Sequence, residues 1–229
     1  SMKRLVNQLA TERQTQVFTA THSSHISSRL DLRKAILLGA TRPVLMNELS
    51  AETAAFFMKA PDNNVLEFAL ARRVLLVEGD AEFILIEAFY HRLYGRAPED
   101  DGVHIIAIGG TSFRRYLELA RLLENRVAAL RDNDGNYQQN CDERYADVLC
   151  SRSRVFADHD NSRSTFEICL YQDNADLCDA LFRGTRRTLT VQDYMLANKA
   201  EAAFRLLQLH AEELTVPDYI QEALAWIRE

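Results

Sequence analysis

The sequence predicts an α/β fold, a mostly parallel sheet flanked by helices, with an additional helical domain at the C-terminal end. Three observations predict it. The runs Val74-Leu75-Leu76-Val77 and Val127-Ala128-Ala129-Leu130 have the length and near-continuous apolar character of strands buried on both faces. Segments with helical periodicity alternate with such runs, as in β-α-β units. From Thr165 onward the pattern is almost wholly helical.

In order, residues 3–14 read as a helix with Leu5 and Leu9 on one face, and 16–20 as a strand that runs into Thr21-His22-Ser23-Ser24-His25. A short strand follows over 34–38. Residues 44–73 carry helical periodicity without a strong strand and are broken by the turn signal Pro61-Asp62-Asn63-Asn64. The α/β segment is then strand 74–78, helix 80–94, strand 103–108, the Gly109-Gly110 turn, helix 112–124 and strand 127–131, with a further strand near 154–156. Helices follow over 166–171, 177–182, 191–209 and 217–228, the last with Pro217 in its first turn, where a missing N–H costs nothing. The expected domains are residues 1–45, a helical connector 46–72, a catalytic domain 73–170 and a helical domain 171–229. Ser1-Met2 reads as a cloning remnant, so a fragment of a longer protein is expected.

Composition narrows the function. With 229 residues, 47% apolar and 26% charged, the chain is an ordinary globular protein rather than a disordered one. No apolar run reaches the roughly 18 residues of a membrane span, and no signal peptide is legible, so a cytoplasmic protein with reduced thiols is expected. Cys141, Cys150, Cys169 and Cys178 never form a C-x-x-C pair, which argues against a zinc module. The net charge of −6 is unusual for a protein that grips nucleic acid by its backbone alone. Local basic surface exists at Arg114-Arg115, Arg121 and Arg126, and at Arg183, Arg186 and Arg187. Arg114 and Arg115 are the candidates for DNA contact, against the alternative of a merely solvated face.

The chemistry-bearing residues lie where the two apolar runs end. The first breaks into Glu78-Gly79-Asp80-Ala81-Glu82 and the second into Asp132-Asn133-Asp134-Gly135. Open α/β sheets build their sites at the carboxyl ends of strands. Ionised carboxylates gathered there repel one another by roughly 1 kcal/mol per close pair in water, and more where solvent is thinned. A divalent cation removes that penalty, and all-oxygen ligands select Mg²⁺, Mn²⁺ or Ca²⁺. Glu78, Glu82, Asp132 and Asp134 are therefore the candidate ligands, with Asp132 and Asp134 placed on one side of an extended segment. Asp80 reads instead as the N-cap of the following helix, and Asp134-Gly135 could simply be a turn. Asp158 and Asp160, which flank His159, compete as ligands of a second ion.

These residues resemble the TOPRIM domain, the metal-binding fold of topoisomerases, primases and some nucleases. The resemblance rests on Glu78-Gly79, Glu82, Gly109-Gly110 and Asp132-x-Asp134 and covers about residues 73–167. Within it, the chain is similar to the overcoming-lysogenisation-defect (OLD) family of ATP-dependent nucleases, which join an ABC-type ATPase to a C-terminal TOPRIM domain. Thr19 to His25 resembles the strand and switch histidine that close such an ATPase, with His22 as the nucleotide switch. No G-x-x-x-x-G-K-[ST] loop occurs, so ATP is implied only for the full-length protein. Thr165-Phe166-Glu167 resembles the family's T-x-E element, and Lys199 its helical lysine near the scissile phosphate. Asn136 stands where topoisomerase-like members carry a third acid, which argues against topoisomerase activity.

The resemblance implies endonucleolytic hydrolysis of DNA by two divalent cations, Mg²⁺ or Mn²⁺ with Ca²⁺ conceivable at one site. Glu78, Glu82 and Asp132 would hold one ion, Asp134 with Thr165 and Glu167 the other, and Lys199 would offset charge in the transition state. Partners would be DNA and the missing N-terminal ATPase, with no membrane, a homodimer at full length and a monomeric fragment. Two rivals remain open at this point. One is an inactive TOPRIM-like dimerisation or partner-binding module. The other is a haloacid-dehalogenase-like phosphatase, in which Asp132 would be phosphorylated and Glu78 would have no explained role.

Overall fold

The computed structural model describes residues 36–38, 43–59, 64–110, 112–184 and 188–229, together with Gln8, Phe18 and Ala20. His22, Arg186 and Arg187 lie outside them, as do nearly all of the helix expected over 3–14 and the strand over 16–20. The chain divides into two compact units, Ser1–Leu70 and Ala71–Glu229.

In the first unit, β1 (Ile36–Leu38) pairs antiparallel with β2 (Pro43–Leu45), Leu37 lying opposite Val44. Both central residues are buried. The strand over 43–45 is not legible in the sequence, because three residues are too few for a period and Pro43 is tolerated only at a strand's first position or edge. A short 3₁₀ turn leads to α1 (Ala51–Lys59), and α2 (Val65–Leu70) ends the unit.

The second unit is built on four parallel strands in the order β4-β3-β5-β6, namely β4 (Val103–Ala107), β3 (Arg73–Val77), β5 (Arg126–Leu130) and β6 (Ser153–Phe156). The central strands read as unbroken apolar runs because both their faces are covered. Leu75, Val77, Ala128 and Leu130 face a core shared with α3 (Asp80–Tyr94), α5 (Phe166–Asp173), α6 (Ala175–Phe182), α7 (Val191–Ala197), α8 (Lys199–His210) and α9 (Asp218–Arg228). The alternate residues Val74, Leu76, Val127 and Ala129 are equally buried and point the other way. There α4 (Phe113–Leu123) packs on β5 and β6.

The C-terminal helices complete a layer of the sheet. α9 lies on β3, β5 and β6, and α8 packs along α3. Arg126 pins α9 by donating to the carbonyl of Trp226 and stacking 4.0 Å from the centroid of its ring. The helix expected over 191–209 is broken at Asn198, which leaves helical geometry (φ −132°, ψ 46°) and donates its side chain to Tyr194 O. Apolar periodicity runs through the break, so the pattern hides it. Its consequence is functional: Lys199 becomes the first residue of a helix.

Candidate functional site

The strand order reverses between β3 and β5, since β3 leads outward to β4 on one side and the chain returns to β5 on the other. Ligand sites of open α/β sheets form at the carboxyl ends of strands flanking such a reversal. Glu78 follows β3 there, and Arg131 to Asp134 follow β5. Gly79 occupies the cap position before α3 without a side-chain cap, so Asp80 is the helix's first residue and not its N-cap. This leaves Glu82 in the first turn of α3, buried.

A pocket of about 160 Å³ opens at this edge, lined by Glu78 to Glu82 together with Asp132, Lys199 and Ala200. Glu78, Glu82, Asp132 and Lys199, four of the residues singled out in the sequence, thus share one cavity. Glu167 is buried nearby in the first turn of α5, and Lys199 Nζ stands 3.0 Å from its Oε2. Thr165 is the N-cap of α5, its hydroxyl accepting from Ile168 N at 3.4 Å.

The electrostatics of the pocket are those of acids short of positive charge. Burial pushes the Glu82 carboxyl up to about 7, with repulsion from Glu167 and Glu78 adding to it. Burial likewise pushes Asp132 up to about 8, reinforced by Glu82 and Glu78 and opposed by a 2.8 Å hydrogen bond from Phe166 N. Burial alone would favour a neutral Lys199 amine, yet Glu167, Asp132 and Glu82 hold its pKa above the ordinary lysine value.

Glu78 and Asp134 are balanced differently. Arg131 Nη1 donates to Glu78 Oε2 at 2.5 Å and Nη2 to Asp134 Oδ2 at 3.1 Å. Glu78 also depends on the glycine turn after β4. Gly109 (φ 71°) donates its N–H to Glu78 O at 3.0 Å, and a Cβ on Gly110 would overlap the Glu78 carboxylate.

Asp132 and Asp134 do not lie on one extended segment. Asp134 has φ 49° and Gly135 φ 80°, so the chain turns, and Asp134 is largely exposed while Asp132 is buried. The turn is locked by Asn133, a residue without a role in the sequence reading. Its side chain donates to the carbonyls of Asp158 (2.7 Å) and Asp160 (3.0 Å) and accepts from Gly135 N (2.8 Å). With the Phe166–Asp132 bond, this ties the loop after β5 to the segment that carries Thr165 and Glu167. An Asn between two acids at a strand end was the available signal.

Asp158 and Asp160 lie outside the pocket. Asp158 accepts from Arg163 Nε at 2.6 Å, and Asp160 accepts from the N–H and hydroxyl of Ser162. Arg114 is paired with Asp147 and donates to the carbonyl of Arg144, and the half-buried Arg115 follows it on α4. Among the described residues, no three His, Cys, Asp or Glu side chains stand together in position to hold an ion. Arg131 and Lys199 engage only one oxygen each of Glu78, Asp134 and Glu167, so ligation falls to the remaining oxygens and to a turn of the carboxylates.

A four-stranded parallel sheet with Glu78 after its first strand, Asp132-x-Asp134 after its third and helices on both faces is a mixed α/β arrangement consistent with the TOPRIM fold. Residues 70–134 match the family model of the "Overcoming lysogenization defect protein-like, TOPRIM domain". Among solved structures, the chain is similar to the C-terminal region of the Burkholderia pseudomallei OLD protein at 21% identity, covering 69% of this chain and 98% of that one (TM-score 0.48). It is also similar to the C-terminal region of the Xanthomonas campestris pv. campestris OLD protein at 22% identity, covering 69% and 92% (TM-score 0.48). No curated protein matches the chain. No described helix is long and apolar enough to cross a membrane.

Proposed function

We propose that this chain is the nuclease part of an OLD-type protein and hydrolyses DNA phosphodiesters with divalent cations, Mg²⁺ or Mn²⁺. The observation that carries the reading is the pocket in which Glu78, Glu82, Asp132 and Lys199 converge, two of its acids driven far up in pKa by burial and mutual repulsion. The residues fit a hard cation: Glu78, Glu82 and Asp132 line one pocket, and the donors they offer are all carboxylate oxygens. Glu82, Asp132 and Glu167 would hold it, with Glu78 and Asp134 alongside. A bound divalent cation supplies Lewis acidity toward water and the phosphoryl oxygens.

The protein's own contribution is positioning and charge. Asp132 is fixed by Phe166 N and Glu82 by the start of α3, so both present carboxylates from rigid elements. Lys199, half-exposed at the mouth, offers its ammonium to a phosphate, where it would offset the charge that develops as the bond breaks. Low sequence selectivity is expected, because no described element forms a recognisable groove-reading module. The partners of this reading are DNA and, at full length, an N-terminal ATPase that supplies ATP dependence and a homodimer contact.

Incubation with supercoiled plasmid and Mg²⁺ or Mn²⁺ tests the reading. Nicked and linear products are expected from the parent and should vanish in Asp132→Ala and Lys199→Ala variants. A folded parent that leaves plasmid intact with either metal would turn the assignment to a non-catalytic TOPRIM module.

A further inference from the structure

Arg131 sits between the two acidic motifs with 4% of its side chain exposed. Its guanidinium is fixed on several sides. Nη1 donates to Glu78 Oε2 at 2.5 Å and to Gly110 O at 3.3 Å, Nη2 donates to Asp134 Oδ2 at 3.1 Å, and Cζ lies 5.3 Å from the centroid of the Phe113 ring. Nε is buried without a hydrogen-bond partner. A guanidinium with an unmade bond is tolerated in such a place only because two carboxylates face it.

Each carboxylate gives this group one oxygen and keeps the other. The planar fork of arginine has a fixed spacing, so it sets the distance between a side chain after β3 and one after β5. We propose that Arg131 is a positioning residue of the cation site: its fork, joined to Glu78 and to Asp134 by one oxygen each, fixes where these two carboxylates stand relative to each other at the edge of the pocket. The inference rests on the cation reading above. The alternative is a guanidinium that occupies the ion's place and leaves when it binds. Such a group needs room to swing, and burial over Phe113 with a tie to the Gly110 carbonyl leaves it none.

Binding of Mn²⁺ to the full chain, followed by electron paramagnetic resonance of the free ion, tests the proposal on the parent, Arg131→Lys and Phe113→Leu. Thermal unfolding in EDTA is recorded beside it. Lysine keeps the charge but lacks the two-pronged fork, and Phe113→Leu keeps the fork while removing the ring beneath it. The Kd for Mn²⁺ is expected to rise about 10- to 100-fold in folded Arg131→Lys, as when outer-shell partners of metal ligands are lost, and by a smaller factor in Phe113→Leu. A purely structural arginine would lower the unfolding temperature and leave that Kd unchanged. An unchanged Kd in Arg131→Lys overturns the proposal, and a lower one makes Arg131 a competitor of the ion. If Arg131→Lys does not fold, an unchanged Kd in Phe113→Leu overturns it alone. These results leave the cation reading standing, whereas a parent that binds no Mn²⁺ overturns that reading and the proposal together.

Discussion

Glu78 and Asp134 share a buried guanidinium, whereas Glu82 and Asp132, in the same pocket edge, are pushed up to about 7 and about 8 by burial and by repulsion from neighbouring acids. The residue types on the two sides are alike. The difference is that Arg131 bonds the first pair directly, whereas the Lys199 ammonium in the pocket pairs with Glu167 and leaves burial to dominate at Glu82 and Asp132. On the first side the negative charge supports the fold, and on the second it opposes folding as the pH rises toward 8 and these acids ionise. Charge-removing substitutions should therefore have opposite signs on the two sides.

The largest effect is expected on the Arg131 side. Arg131→Gln should destabilise the metal-free protein by about 2–4 kcal/mol, less than for a fully buried pair because Asp134 is about half exposed. Urea unfolding in EDTA measures it, and a stabilised variant would break the contrast. Glu82→Gln and Asp132→Asn should do the reverse at pH 8, raising metal-free stability by on the order of 1–3 kcal/mol while abolishing the response to divalent cations.

The pH dependence sharpens the same contrast. The folded-state values of Glu82 and Asp132 lie above their unfolded ones, so the folded chain binds more protons than the unfolded chain between about pH 4 and 8. These two acids therefore contribute a loss of metal-free stability as pH rises through that window. Unfolding midpoints in EDTA at pH 5, 6.5 and 8 should show the decline, and saturating Mg²⁺ should flatten it. A midpoint that climbs with pH in EDTA would mean that other groups outweigh this pair.

Gly110→Ala should give the smallest change in stability, about 1–2 kcal/mol. Gly110 lacks a positive φ, and the cost comes from a Cβ that meets the Glu78 carboxylate held by Arg131. Plasmid nicking should nonetheless fall sharply, because that carboxylate must shift. Unimpaired nicking would remove Glu78 from the site.

The parts of the molecule that carry strong local signals were legible in the sequence. The two apolar runs located β3 and β5, and the helix expected over 80–94 coincides with α3 (Asp80–Tyr94). Glu78, Glu82 and Asp132 could be placed at one sheet edge because each follows a run or opens a helix, and the pocket brings them together. Three features were hidden for physical reasons. The break at Asn198 lies within continuous apolar periodicity, so nothing local marks it. The positive φ of Asp134 is set by bonds that Asn133 makes to a segment some 25 residues away. The burial of Arg131 depends on Phe113, Glu78 and Asp134 converging from separate elements, which no linear pattern displays. The last two are tertiary overrides of a local preference.

If Glu82 and Asp132 are cation ligands, a bound divalent ion should stabilise the fold, and neutralising either acid should remove that response. Thermal unfolding of the parent and of Asp132→Asn at pH 8, each in EDTA and in saturating Mn²⁺, tests it most directly. Binding at about 100 times the Kd adds roughly 2.7 kcal/mol to the folded state. The account requires the parent to melt several degrees higher in Mn²⁺, and Asp132→Asn to melt above the parent in EDTA with no response to the ion. A parent unmoved by Mn²⁺, together with an Asp132→Asn variant that melts lower in EDTA, would contradict it.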